Sequence, residues 1–316
     1  MYSYIRLSDL LWHLGNNAAS LDNARKEIPT AQKLTQLDPA DPENQLLLAM
    51  CYVDQGFKEA ELGDQAAGLE ILDRGASMFE QMVAEHPEDL SQRRRLALAY
   101  GRIADIQRHG PKGNDSDSLA SFRKAIATLQ PLLPKDPNNA EVRRMLAYYH
   151  HASGELLDDM NQRPAALAQE HEALTSFQNL AAADPTNVQL QQDIANVHRQ
   201  IGILLTETGE PAKAIAELEE SARVLEKAGA GMSPASYYGY RLIADQFWLG
   251  KAHAALASSA RLSAAERAEH CRQARSWFQR CLPQFESLRD KGPDYDADAT
   301  VAEIHRQMPR CSSPNQ

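Results

Sequence analysis

The apolar residues along most of this chain recur with the period of a helix. In the segment from 188 to 205 they fall on one side of a 3.6-residue turn, at Val188, Ile194, Val197, Ile201 and Leu205. Other long segments carry similar apolar stripes, and none alternates apolar and polar residues in the two-residue period of a half-buried strand. The pattern predicts an all-α protein.

Three columns of residues repeat along the chain at a nearly constant interval. Small residues lie at Ser8, Gly56, Ala104, Gly154, Gly202 and Gly250, spaced 48, 48, 50, 48 and 48 residues apart. Four residues before each lie Tyr4, Tyr52, Tyr100, His150, His198 and Gln246, so that a ring is missing only in the last. Prolines keep the same interval at Pro39, Pro87, Pro137, Pro185 and Pro234. These columns indicate an internal repeat.

Each repeat contains the signals of two helices. In the fifth, Asn187 follows Asp-Pro-Thr and is placed to cap the first helix. Gly209 is expected to end that helix, and Pro211 suits the first turn of the next. The fourth repeat has Asn139 and a turn at 161–164 in the same places.

These features resemble tetratricopeptide repeats: a small residue four after a ring, a glycine turn, Ala-Ile opening the second helix, and Asp-Pro-x-Asn between units. The usual repeat has about 34 residues. The excess corresponds to roughly four helical turns, two in each helix, which leaves every side chain facing as before. The resemblance implies a right-handed superhelical solenoid of about six antiparallel long-helix pairs, with a C-terminal capping helix and a concave peptide-binding groove.

The repeat interval also divides the chain. The predicted array covers 1–290, followed by a capping helix over 291–309 and a tail over 310–316, and its units are 1–38, 39–86, 87–136, 137–184, 185–233 and 234–290. Met1 falls about two turns inside the first helix by this interval. We therefore expect the chain to be the downstream portion of a longer protein, or the product of an open reading frame that has lost its upstream domain.

The elongated units also look like the C-terminal repeat region of bacterial eukaryotic-type serine/threonine protein kinases. The stretches 264–267 (Ala-Ala-Glu-Arg) and 274–280 (Ala-Arg-Ser-Trp-Phe-Gln-Arg) carry this resemblance. The sequence has no His-Arg-Asp loop and no Asp-Phe-Gly, so the chain itself is not expected to catalyse phosphoryl transfer. The resemblance implies a sensory or substrate-docking region of a kinase whose catalytic domain is absent from this chain.

Charge and composition narrow the classes of partner. Lys and Arg number 33 and Asp and Glu 43, a net charge of −10, which argues against nucleic acid as the main partner. The longest apolar run, 46–53, is too short to span a bilayer. We expect a cytoplasmic protein, or an extracytoplasmic one if it is part of a membrane-anchored kinase. Leu7, Leu10, Leu11 and Leu14 suggest a homo-oligomer formed through the first repeat.

No pattern of catalytic or ligating residues is present. The sequence lacks a phosphate-binding Gly-rich loop, a His-Glu-x-x-His motif and a Gly-x-Ser-x-Gly motif. His150 and His151 are neighbours on a helix and point about 100° apart, so they cannot chelate one ion together. We expect no enzyme activity, no cofactor and no metal.

The predicted function is a non-catalytic scaffold that binds a protein or peptide segment in the concave groove. Side chains one face away from the packing columns are expected to line it, and the candidates are Phe57, Asp105, Arg108, His151, Glu155, Asp158, Arg199 and Phe247. For each of them an ordinary solvated surface is the alternative. The middle of the groove is mixed and somewhat acidic, which favours a peptide with basic and apolar side chains.

Overall fold

A computed structural model describes residues 2–109, 114–229, 236–289 and 297–308. The chain divides into two compact units, Met1–Leu156 and Leu157–Gln316, which we describe one at a time. Pro234 of the proline column, the start of the predicted capping segment at 291–296 and the tail 310–316 lie outside the described residues.

The first unit consists of long helices joined by short turns. They are α1 (Tyr2–His13), α2 (Asn17–Leu37), α3 (Pro42–Glu61), α4 (Gln65–Glu85), α5 (Leu90–His109), α6 (Asp115–Leu129), which a 3₁₀ turn at Gln130–Leu132 extends, and α7 (Ala140–Asp159), which crosses into the second unit. From α1 to α6, each helix packs against the next, and α3 also packs against α5. This is the stacking of a helical repeat.

The second unit continues with helices of similar length. They are α8 (Arg163–Ala183), α9 (Val188–Glu207), α10 (Pro211–Gly229), α11 (Tyr237–Ala257), α12 (Ala264–Glu286) and α13 (Ala297–Gln307). We call the odd-numbered helices α1 to α11 the first helices, and the even-numbered helices α2 to α12 the second helices. The described residues contain no strand, so the predicted all-α fold is confirmed.

The turn chemistry places the helix ends where the pattern predicts. The Asn187 side chain accepts a hydrogen bond from the backbone N–H of Leu190 at 3.2 Å and caps α9. Gly209 has a φ of +84°, a left-handed conformation that glycine adopts without strain, and α10 begins at Pro211. Asn161 takes the same left-handed role before α8, with a φ of +57°.

The small-residue column marks where the two helices of a pair approach most closely. A Cβ atom on Gly56 would lie 2.6 Å from the backbone nitrogen of Leu72 on α4. A Cβ on Gly250 would lie 2.5 Å from the ring of Phe278 on α12. Such contacts are too short for any side chain, so the column is small because the helices touch there.

The last helix completes the core at the end of the second unit. Val301 and Ile304 of α13 are buried with Phe278 and Phe285 of α12. This packing fits the predicted capping helix, which covers an apolar edge that a repeat array otherwise exposes. Within the described part of the chain, no helix is both long and apolar enough to cross a membrane.

Candidate peptide-binding surface

Phe57 lies on the partly exposed side of α3 in the first unit. Its ring packs against Trp12 of α1, with ring centroids 5.7 Å apart. The guanidinium of Arg102 on α5 stacks over the same ring at 4.7 Å. An aromatic pair and a cation therefore share one surface of three consecutive first helices.

The other candidates of the first unit form polar contacts between α5 and α7. Tyr148 donates a hydrogen bond to Asp105 at 2.8 Å, and burial raises the pKa of Asp105 above its ordinary value. Arg108 donates to Glu155 at 2.7 Å. The imidazole of His151 lies 3.6 Å from the same carboxylate. The structure thus brings Asp105, Arg108, His151 and Glu155 to two adjoining helices, where all four are half-buried.

Asp158 belongs to a separate polar group in the second unit. It accepts a hydrogen bond from Gln200 of α9 at 2.9 Å and lies 3.6 Å from Arg163 of α8. Arg163 also pairs with Glu207 at 3.0 Å. Burial, with a smaller contribution from Glu207, raises the pKa of Asp158. Asp158 is therefore half-buried, and its contacts with Gln200 and Arg163 fix its position.

Arg199 is not on the surface, which corrects its predicted placement. Only 4% of the residue is exposed, and its Nε donates to the carboxylate of Asp245 on α11 at 2.6 Å. The hydroxyl of Ser221 on α10 donates to the other oxygen of Asp245 at 2.8 Å. Arg199 therefore forms a buried ion pair between three helices and offers no group to a peptide.

Phe247 is also buried, with 8% of the residue exposed. Its ring belongs to the core that contains Phe278 and Phe285. The predicted groove position of Phe247 is therefore corrected to a core position.

Arg199 and Phe247 are buried for the same physical reason. Arg199 and Phe247 share a column with Val53 and Gly101, which are buried, and with His151, which is half-buried. A Cβ on Gly101 would lie 2.5 Å from the ring of Tyr149 on α7, the next first helix. This column lies where consecutive first helices touch, and the residue spacing alone does not reveal the rotation that places it there.

The first unit also contains a cavity lined by acidic, basic and apolar side chains, which was not predicted from the sequence. It has a volume of about 140 Å³ and is lined by residues of α1 to α5, among them Asp9, Glu27, Asp54 and Arg102. Glu27 has no exposed surface, and neither of its carboxylate oxygens has a hydrogen-bond partner of ordinary geometry. The Cys51 thiol, a weak donor, is beside it. Burial, and after it the charge of Asp54, raises the pKa of Glu27 to about 8.

The nearest buried cation is already satisfied by other groups. The ammonium of Lys58 donates to Asp54 at 2.5 Å and to Ser8 at 2.6 Å, and it lies 3.5 Å from Asp9. An ammonium has three N–H donors, so these three partners use its capacity. Glu27 is left as a buried acid facing a cavity.

A signal for Glu27 is present in the repeat. By the repeat interval, Glu27 corresponds in the later second helices to the small residues Gly75, Ala125, Ala173 and Ser221, and in α12, where the preceding turn is about five residues longer, to Ala274. All of these are buried. A glutamate in a column of small core residues marks a buried carboxylate, and a column-by-column comparison of the second helices would have found it.

The described residues contain no group of three His, Cys, Asp or Glu side chains arranged to hold a metal ion. The polar groups described above are ion pairs and hydrogen bonds that join helices. The candidate surface is therefore a set of half-buried aromatic, acidic and basic side chains on the first helices of the first unit, and Asp158 is the candidate that remains in the second unit.

Together these features define a helical-repeat protein of the tetratricopeptide-like class. No protein-family model and no curated protein sequence matches the chain. Among solved structures, it is similar to the nuclear import adaptor Nro1 of S. pombe, with a TM-score of 0.57, 14% identity and coverage of 96% of this chain and 97% of that one.

Two other solved structures are similar over nearly all of this chain. One is PH0952 from Pyrococcus horikoshii, a signal transduction ATPase with a tetratricopeptide repeat sensor, with a TM-score of 0.57, 11% identity and coverage of 98% of this chain and 42% of that one. The other is the apo form of RapI, with a TM-score of 0.51, 12% identity and coverage of 99% and 97%. At these identities the likeness shows the fold.

Proposed function

We propose that the chain is a non-catalytic interaction scaffold that binds a peptide or protein segment along the first helices. The observation that carries this proposal is the surface in the first unit where Trp12, Phe57 and Arg102 meet. Aromatic and arginine side chains that are partly exposed in one patch are typical anchors of protein interfaces. The role of Nro1 as an adaptor gives further support.

The acidic and basic side chains on α5 and α7 support a partner peptide that carries both charged and apolar side chains. Glu155 lies between Arg108 and His151, and Asp105 is nearby on α5. These groups are half-buried, so their electrostatic contacts with a ligand are stronger than those of fully exposed groups. A peptide with basic and apolar side chains suits this surface and the ring of Phe57.

A peptide library displayed from the proteome of the native organism, selected on the purified chain, tests the proposal. We expect enriched peptides whose affinity falls at least tenfold in Glu155→Lys. The matched control is Glu70→Lys on α4, because Glu70 is exposed and contacts only Arg74 on its own helix. Loss of the Arg108–Glu155 contact costs only about 1 kcal/mol of stability or less, because both side chains are partly solvated.

Two results would contradict the proposal. One is a selection that enriches no peptide above scrambled sequences. The other is equal loss of affinity in Glu155→Lys and Glu70→Lys, which would place the binding surface elsewhere.

The kinase-associated role stays an alternative within this proposal. Its support is the sequence resemblance at 264–280, a stretch that forms most of α12. If the chain docks substrates or signals for a bacterial serine/threonine kinase, the enriched peptides should come from such a kinase or its substrates. Peptides from unrelated proteins would favour the general scaffold.

A homo-oligomer and a cytoplasmic location also stay predictions. Leu7, Leu10 and Leu14 are exposed on and just after α1, and a second copy of the chain is the occupant we expect. Light scattering should then give a mass above that of one 35.1 kDa chain, which Leu10→Lys lowers. A monomer at all concentrations would contradict this prediction.

A further inference from the structure

The cavity around Glu27 has the chemistry of a site for an organic cation. Glu27 is among the residues that line it, and its carboxylate has no conventional hydrogen-bond donor. The carboxylate has no exposed surface, so a ligand reaches it only when a neighbouring side chain shifts. Burying an ionised carboxylate costs folding free energy unless a partner supplies a compensating charge or hydrogen bonds. The ionised form of Glu27 therefore lacks a donor, and a positively charged donor compensates it best.

The charged groups around Glu27 do not supply that partner. On α3, Lys58 is occupied by Asp54, Ser8 and Asp9. On α5, Arg102 donates to the carbonyl of Val53 at 3.3 Å, stacks on Phe57 and lies 3.9 Å from Asp54.

The remaining cation at the cavity is Arg95, also on α5. Its Nη1 contacts the sulfur of Met50 at 2.9 Å, and its Nε has no hydrogen-bond partner. Among the residues that line the cavity, Arg95 is thus the group that a side-chain rotation could offer to Glu27. The variant Arg95→Gln tests this internal pairing.

The cavity is open to solvent, and apolar side chains line it between the charged ones. Asp9 and Leu98 are exposed at its rim, and the Asp9 side chain is 54% exposed. Phe79 of α4 and Val53 of α3 line it further inside. A ligand that carries its charge at the end of an apolar stem suits this mixed lining.

We propose that this cavity binds the ammonium group of a lysine side chain from the partner segment, with Glu27 as its counterion and Asp9 at the entrance. The aliphatic stem of lysine matches the apolar side chains of the lining, and its three N–H donors match the unbonded carboxylate. The proposal rests on the proposed function for the source of the lysine, but the cavity can be tested without any peptide.

Binding should also be linked to the protonation of Glu27. With its raised pKa, Glu27 carries a proton in much of the empty protein at neutral pH. A cation stabilises the ionised form, so binding releases that proton and the affinity rises with pH. The charged groups that face Glu27 are Asp9 on α1, Asp54 and Lys58 on α3, and Arg95 and Arg102 on α5.

The probe is N-acetyl-lysine N-methylamide, and its Nε-acetylated counterpart is the uncharged control. Both are titrated into the full chain at pH 8 while backbone amide NMR shifts are followed in α3 and α5. We expect saturable binding of the lysine compound only. Glu27→Gln should weaken it at least tenfold, whereas Glu70→Gln on the exposed side of α4 should not change it. The affinity of the wild-type chain should rise from pH 6 to pH 8.5, and the slope should vanish in Glu27→Gln.

Three results would overturn the proposal: equal binding by wild type and Glu27→Gln, equal binding of the acetylated compound, or no binding by the wild-type chain. Arg95→Gln resolves the last case. If Arg95→Gln binds the lysine compound and wild type does not, Arg95 is the counterion of Glu27 and the native cavity is closed to lysine. Peptides selected in the display experiment would still bind the surface around Phe57, so failure here is distinct from failure of the proposed function.

Discussion

Two buried polar positions are equivalent by the repeat interval and differ in how they are satisfied. Glu27 and Cys51 in the first unit correspond to Ser221 and Asp245 in the second. Asp245 accepts hydrogen bonds from Ser221 and from Arg199. Glu27 has only the weak Cys51 donor beside it. Asp245 is therefore fully paired inside the structure, whereas Glu27 lacks a conventional donor and lines a cavity.

Glu27 should make the free energy of unfolding depend on pH. The pKa of Glu27 is about 8 in the folded chain against an ordinary value of 4.5. The unfolded chain therefore releases this proton first, and the stability contributed by Glu27 is full below pH 4.5 and is lost as the pH rises through 8.

Glu27→Gln removes this dependence. We expect the variant to match wild type near pH 5 and to become more stable than wild type toward pH 9, by at most roughly 4–5 kcal/mol. Urea unfolding at several pH values measures the difference. A difference that stays constant across this range would show that Glu27 is ionised and compensated.

Breaking the buried ion pair between Arg199 and Asp245 should lower the free energy of unfolding substantially. Asp245→Ala leaves the Arg199 guanidinium buried without its counterion, and we expect a loss of about 3–5 kcal/mol. The double variant Arg199→Met with Asp245→Ala should recover part of that loss, since no charge is left buried. Urea unfolding of the two variants and wild type checks this. If the double variant is less stable than Asp245→Ala alone, the guanidinium is satisfied without Asp245.

At the scale of the helix, the small column sets how closely the two helices of a pair approach. Gly56→Ala places a methyl group against the Leu72 nitrogen and the Gly68 carbonyl oxygen, at 2.6 and 2.8 Å. Backbone atoms cannot rotate away, so α3 and α4 must separate.

We expect Gly56→Ala to destabilise the chain by about 1–3 kcal/mol, although alanine favours helix more than glycine does. Ala104→Gly, in the same column of α5, is the control and should cost about 1 kcal/mol or less from helix propensity. Chemical denaturation measures both changes. A stabilised Gly56→Ala would mean that the helices are not in close contact there.

The pairing of α11 with α12 includes two histidines that contact each other. The Nδ1 atoms of His253 and His270 are 3.0 Å apart, and only 8% of His253 is exposed. Burial, and after it the neighbouring His270, lowers the pKa of His253 from 6.5 to about 4. The unfolded chain therefore takes up this proton first, and the stability that His253 contributes is present above pH 6.5 and lost as the pH falls through 4.

His253→Gln should flatten this acid-side loss. We expect wild type to lose up to about 3 kcal/mol from this site between pH 7 and pH 4 that the variant does not lose. His171→Gln on the exposed side of α8 is the control and should follow wild type. Thermal unfolding across this pH range provides the comparison. Equal slopes for all three proteins would exclude His253 as a source of the pH dependence.

The helices follow from the sequence more completely than the surface does. Asn187, Gly209 and Pro211 fix helix ends through local backbone chemistry, which a sequence carries in adjacent residues. The sequence pattern predicts a groove position for Arg199 and Phe247 because their column follows the ring column by one residue. Their burial depends on how one first helix is rotated against the next, which is set by packing of distant residues.

At the scale of the molecule, the net charge of −10 is distributed over surfaces and buried sites with different roles. Many acids form exposed pairs within one helix, such as Glu220 with Arg223, and contribute little to stability. Glu155 and Asp105 lie half-buried on first helices, and Glu27 lies inside. Only a few of the acids are therefore placed to contact the basic side chains of the proposed partner segment.

Hydrogen exchange of the chain with and without a peptide from the display selection locates the binding surface. The proposed function predicts slower exchange in α3 and α5 of the first unit, around Phe57 and Arg102, with little change in α4 and α6. A lysine-containing peptide should in addition slow exchange around Glu27 in α2. Protection confined to the second helices α4 and α6, or no protection at a saturating concentration of peptide, would contradict binding along the first helices.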